Sequence, residues 1–521
     1  MKKSACLVAF CGLLTAAAIP VAAVQPVDDF LASIASDTPQ AFSERVGTYD
    51  PDQLRQQRAH LHRMLTSERV AEAAQSPIAI EVTRGEIRQL LEERRGVANR
   101  KMLAGVAKPV GARVDLAAVS AGDGVRRLAF GAARTAGERT VWTGTAASPG
   151  AYGVRVHFTD VNLPRGAALY VYNADGAAFG PYTGRGPNGT GEFWSNMVRG
   201  DVASIQLRGP AGSGGSFNVA GIGHVDRELL GIDPRAGTLC SFNAECVESA
   251  ACTTSAAVAD AQDAVAHIQF VSGGFIFICS GGLLNDTDTS STIPYFLTAN
   301  HCISREREAD SMEAFFFFEA TQCGGGCFNP DGVLPSTLGA DILSASSTSD
   351  YTLMRLSQAA PAGAVLMGWN ATPVANSNGT PLFRISHPQG APQGYSEHVV
   401  DTARPTCNTW PRGNWIYSSD VLGATEGGSS GSPVVNGAGQ VVGQLSGGCG
   451  FNVNDVCDTA ANATVDGAFA AYFANVDDIL DPSTGGGGDP GGECLPTGSS
   501  CSDNADCCSG SCKGGRNKTC K

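Results

Sequence analysis

The stretch Tyr295-Phe-Leu-Thr-Ala-Asn-His301-Cys302 decides how this chain is read. An apolar strand runs into a histidine, and a cysteine follows at once, so an imidazole is delivered at a strand end. Two further segments belong with it. Ser349-Asp350-Tyr-Thr-Leu-Met-Arg-Leu356 opens an alternating strand on a carboxylate. Thr425-Glu-Gly-Gly-Ser-Ser430-Gly-Ser-Pro-Val434 sets a serine in a glycine-rich bend that leads into a strand. Each alone is ordinary: a structural His, a turn Asp, a loop Ser. Together, in the order His, Asp, Ser, they supply a weak hydroxyl nucleophile, a base to take its proton and a carboxylate to orient the base. The expected roles are His301 as base, Asp350 as orienting acid and Ser430 as nucleophile. The Gly427-Gly428-Ser429-Ser430 bend can turn the N–H groups of Gly428 and Ser430 toward one point, as an oxyanion requires.

These three segments resemble the chymotrypsin-fold serine peptidases, and within them the bacterial lysyl endopeptidase branch. The matching motifs are Thr298-Ala-Asn-His301-Cys302, Asp350-Tyr-Thr-Leu353 and Thr425-Glu-Gly-Gly-Ser-Ser430-Gly-Ser-Pro433. Val442-Gly-Gln-Leu-Ser-Gly-Gly448 resembles the strand that lines the specificity pocket. The resemblance covers roughly residues 236–482 and implies a double β-barrel that hydrolyses peptide bonds through an acyl-enzyme. It implies a pocket built from Thr425, Glu426, Ser446, Gly447 and an acid. The branch's Asp position falls near Thr464, so Asp466, two residues on, is the expected acid, with Asp458 and Glu426 as alternatives. Ser446 stands where the branch carries His. Ser429 stands where digestive relatives carry an Asp that pairs with a new N-terminal ammonium, so that activation switch is expected to be absent. His387, in Ser386-His-Pro-Gln-Gly390, resembles a segment of structural role. By the same resemblance Cys279 bridges Cys302, Cys246 bridges Cys323, and Cys240 bridges Cys449 or Cys457. Cys252, Cys327 and Cys407 stay open. No metal and no cofactor are expected, because cysteines in an oxidising compartment are staples.

That compartment is read from the N-terminus. Lys2 and Lys3, an apolar run from Ala5 to Ile19 and the small residues Val21-Ala22-Ala23 read as a secretory signal over 1–23. Cys6 and Cys11 leave with it, so an even number of the 18 cysteines remains. No later run is long enough for a membrane anchor. The chain is 521 residues long with a net charge of −14, which excludes a dedicated nucleic-acid binder. The charge is uneven: residues 236–482 hold six Arg and no Lys against 24 Asp and Glu, a net of −18. The shift marks a boundary near Arg235. No Lys occurs between Lys108 and Lys513, which suits a peptidase that cuts after Arg or Lys and spares itself.

Residues 24–235 read as a pro-region. It is helical over 24–110, with an amphipathic helix at Thr83–Ala98, and a β-sandwich over 111–230, with strands at Gly153–Phe158, Ala168–Tyr172 and Val202–Leu207. It is expected to act as a folding aid or a plug over the cleft. Phe315–Phe318 reads as a buried barrel strand and Ala468–Leu480 as a closing helix. A glycine-rich linker over 483–493 leads to Cys494, Cys501, Cys507, Cys508, Cys512 and Cys520. Their spacing resembles the knottins, which implies bridges Cys494–Cys508, Cys501–Cys512 and Cys507–Cys520. The expectation is a secreted, extracellular precursor of mainly β fold, whose partners are protein or peptide substrates and its own pro-region. The alternative is a non-catalytic binding protein or toxin carrier with the tail as effector.

Overall fold

The computed structural model describes residues 38–70, 77–94, 101–119, 124–230, 243–323, 334–407, 409–482 and the strand pair 512–513 with 519–520. The signal segment and the six-cysteine tail's bridges lie outside the described residues. In the tail, Cys512–Lys513 pairs with Thr519–Cys520.

Two helices open the N-terminal region. Pro51–Ser67 starts at Asp50, whose carboxylate accepts the N–H groups of Asp52 and Gln53, both at 3.0 Å. Arg84–Arg94 starts with a reciprocal cap: Glu86 N–H donates to Thr83 Oγ1 at 3.2 Å and Thr83 N–H to Glu86 Oε2 at 2.8 Å. A β-sandwich follows. One sheet carries Met102–Asp115, Ser216–Val225 and Gly153–Asn162, and the other Arg139–Ala147, Val202–Pro210 and Ala168–Tyr172. Alternation in Gly153–Asn162 turns Val154, Val156 and Phe158 into the sandwich core with Trp142 and Phe217. Residue 111 is not where this β region begins: the strand starts at Met102.

The remaining sheets form a chymotrypsin-like double β-barrel. In the second barrel the order Gly394–Val400, Pro381–Ser386, Pro433–Asn436, Val441–Gly450, Asn462–Ala468, Trp415–Leu422 returns to Gly394–Val400, so six strands close. In the first, Phe275–Leu284 pairs with Val265–Ser272 on one side and Tyr295–Ala299 on the other. Glu313–Phe315 pairs with Ser336–Leu338, and Tyr351–Leu356 with Ala340–Ser346. Only Gly339 separates the last strand of each arm, and its N–H and carbonyl bond Met312 O at 2.8 Å and Ser357 N–H at 3.0 Å, so the ring nearly closes. Tyr351, Trp369, Phe469 and Tyr472 pack in the core that joins the barrels.

The sandwich and the first barrel share one sheet, because Met102–Asp115 also pairs with Phe275–Leu284. Arg155, on the other face of its strand from Val154, is fully buried at this junction. It donates to Ser195 O at 3.0 Å and Ser311 O at 2.9 Å and lies 3.9 Å from Glu313. Asn196 Nδ2 and Met197 N–H also donate to Glu313, each at 2.8 Å. Burial pushes the Glu313 carboxyl up and the Arg155 guanidinium down.

Four further expectations are corrected. The phenylalanine run leaves its strand after Phe315: Phe316 and Phe318 are buried, and Phe317 has φ +58° and stacks on Tyr49. The closing helix is three short turns, Phe469–Tyr472, Phe473–Asn475 and Asp477–Leu480. Cys246 bridges Cys457, not Cys323, with Cα atoms 5.6 Å apart. Cys323 is taken by Cys252, which the turn Ala250–Cys252 brings to a Cα separation of 4.5 Å. Cys449 is bridged to Cys407, so neither it nor Cys457 is left for Cys240; Cys240 and Cys327 lie outside the described residues. The bridge Cys279–Cys302 is present.

Candidate active site

His301 sits at the turn that follows Tyr295–Ala299, and Asp350 immediately precedes Tyr351–Leu356, the strand paired to it. That pairing brings the two together. His301 Nδ1–H donates to Asp350 Oδ2 and the His301 backbone N–H to Oδ1, both at 2.7 Å. The carboxylate thus fixes both the ring and its backbone, and leaves Nε2 without the tautomeric hydrogen. Asp350 has φ +50°, a conformation that needs outside support. The support comes from the second barrel. Gln444 Nε2 donates to Ser349 O at 2.8 Å and Asp350 O at 3.1 Å, and Tyr472 OH donates to Gln444 Oε1 at 2.6 Å.

Ser430 lies in the bend before Pro433–Asn436. Ser280, one residue past Cys279, holds that bend to the first barrel. Its N–H donates to Ser430 O at 2.8 Å and its hydroxyl to Gly428 O at 2.9 Å. Cys279–Cys302 therefore joins the strand behind the serine bend to the residue after the histidine, and closing such a loop stabilises by about 3 kcal/mol. The N–H groups of Ser429, Gly431 and Ser432 bond Glu426 O, Leu445 O and Ser429 O. Those of Gly428 and Ser430 have no such partner among the described residues. Gly428 has φ +99°, and a Cβ there would lie 2.6 Å from His387 O, so only glycine fits. Ser429 is fully buried. Its Oγ accepts from Ser386 Oγ at 3.0 Å and from Glu426 N–H at 3.3 Å, so the bend is held by neutral groups without an ion pair.

A cleft of about 390 Å³ opens beside Ser430. Thr425, Glu426, Ser446, Gly447 and Thr464 line it, and Asp420 does too. Asp466 does not. It and Arg384 are both fully buried, paired at 2.6 Å in the barrel interior, so its charge is already matched. Two acids line the cleft, the expected alternative Glu426 and, from Trp415–Leu422, Asp420. Asp420 accepts from His398 Nδ1 and from Thr464 Oγ1, each at 2.7 Å. Burial opposes its charge, but the bonds from His398 and Thr464 outweigh it and hold the carboxyl below its ordinary range. Glu426 behaves oppositely: burial pushes its carboxyl up. Asp458 is hydrogen-bonded to Asn452 at 3.0 Å and does not line the cleft. His387 is buried against His267 and Phe318.

Cys279, His301 and Cys302 place ligand-type atoms within 4.8 Å of one another, but the two sulfurs are bonded together and cannot serve as thiolate ligands. No described helix is long and apolar enough to cross a membrane.

The fold is that of the chymotrypsin-like double barrels, and the sequence agrees over the same region. The family model of the lysyl endopeptidase C-terminal domain matches residues 236–463. A lysyl endopeptidase of Pseudomonas aeruginosa is 32% identical over 270 residues, which are 49% of this chain and 56% of that protein. The chain thus spans little more than half the length of this relative. Among solved structures, the HtrA-type protease AlgW with a tripeptide is 17% identical with a TM-score of 0.30, over 44% of this chain and 63% of that one. A scabies mite inactivated protease paralogue is 14% identical with a TM-score of 0.31, over 43% and 96%.

Proposed function

We propose that the chain is the precursor of a secreted serine endopeptidase that cuts after Arg or Lys. The observation that supports this reading is the His301–Asp350 couple, linked to the Ser430 bend through Cys302, whose Sγ lies 3.7 Å from His301 Nε2 and 3.8 Å from Ser430 O, with acids in the wall of the cleft that Ser430 lines. In the reaction His301 Nε2 takes the Ser430 proton as the hydroxyl attacks the peptide carbonyl. Asp350 stabilises the imidazolium that results. The Gly428 and Ser430 N–H groups receive the developing oxyanion, each such donor being worth about 10²–10³ in rate. The imidazolium then protonates the leaving amine, and water enters by the same route in reverse to free the acid and restore Ser430. Asp420 supports the choice of a cationic side chain before the scissile bond, in the role first assigned to Asp466.

Lys101, Met102 and Leu103 line the cleft beside Ser430, which supports a plugging role for the N-terminal region. The secreted form is expected to begin near Ala236. A fluorophosphonate probe tests the reading: labelling of the secreted protein that disappears in Ser430→Ala is the expected result. A wild-type protein that takes no label refutes the enzyme and favours a binding scaffold that carries the cysteine-rich tail.

A further inference from the structure

The cleft has two ends of different make. Asp420 and Thr464 belong to strands of the second barrel. At the other end the N-terminal region enters along a strand of the first. Met102 lies opposite Ile278 and Leu103 opposite Phe277, antiparallel, and Ile278 directly precedes Cys279, which is bridged to Cys302 beside His301. An extended chain whose carbonyl sits at Ser430, with its preceding side chain toward Asp420, must send its following residues along this strand. Main-chain pairing of that kind fixes register and leaves alternate side chains to choose pockets.

Lys101 occupies such a pocket. Its Nζ lies 3.7 Å from Glu308 Oε1 and 5.3 and 5.5 Å from the ring centres of Phe270 and Phe277. Glu308 is nearly sealed, its side chain 6% exposed. It is built to stay charged, because Ser272 Oγ donates to it at 2.6 Å and Ser304 N–H at 2.8 Å. Burial works against its charge, and these bonds together with Lys101 still keep the carboxyl below its usual range. A buried carboxylate flanked by two aromatic faces is a receptor for an ammonium or guanidinium group.

Resting on the peptidase reading above, we propose that Glu308, Phe270 and Phe277 form a subsite for a cationic side chain on the residue that follows the scissile bond, held in the precursor by Lys101. The enzyme then favours pairs of basic residues, one read by Asp420 and the next by Glu308.

The test uses the enzyme secreted from the full-length gene, with rates expressed per fluorophosphonate-titrated site. Peptides carry Arg before the scissile bond and Lys, Gln or Glu after it. Lys is expected to exceed Gln in kcat/KM by about tenfold, with Glu slowest. In Glu308→Gln the Lys-to-Gln ratio falls toward one and the penalty on Glu shrinks. Phe277→Leu, which keeps the carboxylate, lowers the same ratio partway and serves if the first variant does not fold. Equal wild-type rates for Lys and Gln overturn the subsite, as does a ratio unchanged in both variants. A protein that titrates no site at all refutes the peptidase reading itself, so the two failures are told apart.

Discussion

Replacing Asp420 by Asn removes one charge from the cleft and weakens the bond from buried His398 Nδ1, which the amide oxygen can still accept. The side chain is 12% exposed, and its amide successor keeps an oxygen for Thr464 Oγ1. At about 4 Å and an effective dielectric near 20, a bound ammonium or guanidinium gains about 4 kcal/mol from such a carboxylate. Part of that gain is offset by the water the cation gives up. Losing one member of a desolvated charged pair costs about 2–4 kcal/mol, which is about a 30- to 1000-fold fall in kcat/KM. The assay compares amide substrates that end in Arg, Lys and Leu. The fall is expected for Arg and Lys only, and Leu is expected to hold or rise. Asp466→Asn is the contrast: its carboxylate faces Arg384 and not the cleft, so it alters stability and leaves the Arg-to-Leu ratio unchanged. If Asp420→Asn keeps the wild-type preference for Arg over Leu, the assignment of the cleft acid is wrong.

Three other outcomes are expected. Asp350→Asn keeps the fold but lowers turnover by about 10⁴, because His301 loses the carboxylate that sets its tautomer; circular dichroism beside burst kinetics checks this. Arg384→Met strands the fully buried Asp466 charge and costs about 3–5 kcal/mol in urea unfolding, and adding Asp466→Leu recovers most of it. His387 is pushed by burial down to about 4, against an ordinary 6.5, so the unfolded chain binds a proton that the native state refuses. Stability is therefore full above pH 6.5 and falls as pH drops toward 4, by about 3 kcal/mol; urea midpoints across this range, with a flatter dependence in His387→Asn, check it.

The barrels and the three chemical segments were legible because their signals are local. The alternation of Tyr295–Ala299 and Tyr351–Leu356 and the glycines around Ser430 each speak within ten residues. The cleft acid was not, because its place depends on how the second barrel closes. Thr464 and Asp466 share a face of their strand, but two residues' advance is about 6.6 Å, and it carries Asp466 into the interior where Arg384 meets it. Asp420 enters only because Ser418 pairs with Thr464, a register no local pattern announces. A strand-borne acid ten residues before the serine was the signal available. Gln444, which supports Asp350 from the other barrel, has no local signature at all. The Cys246 pairing failed for a similar reason: a cysteine count constrains how many bridges form, and chain geometry chooses the partners.

The strand Met102–Asp115 is hydrogen-bonded on one edge to the sandwich and on the other to the barrel, and Arg155 is locked into the barrel beside Glu313. Scission near residue 235 would sever the covalent link and leave this seam intact. On the proposed reading the immediate product would be a nicked but still occluded complex, and activity would appear with a lag set by detachment of the severed piece, not by the cut. Departure of that piece would, on the same reading, bare the Phe275–Ile278 edge and take Arg155 away from Glu313, so recapture of the freed fragment would act as a brake whose strength rises with protein concentration.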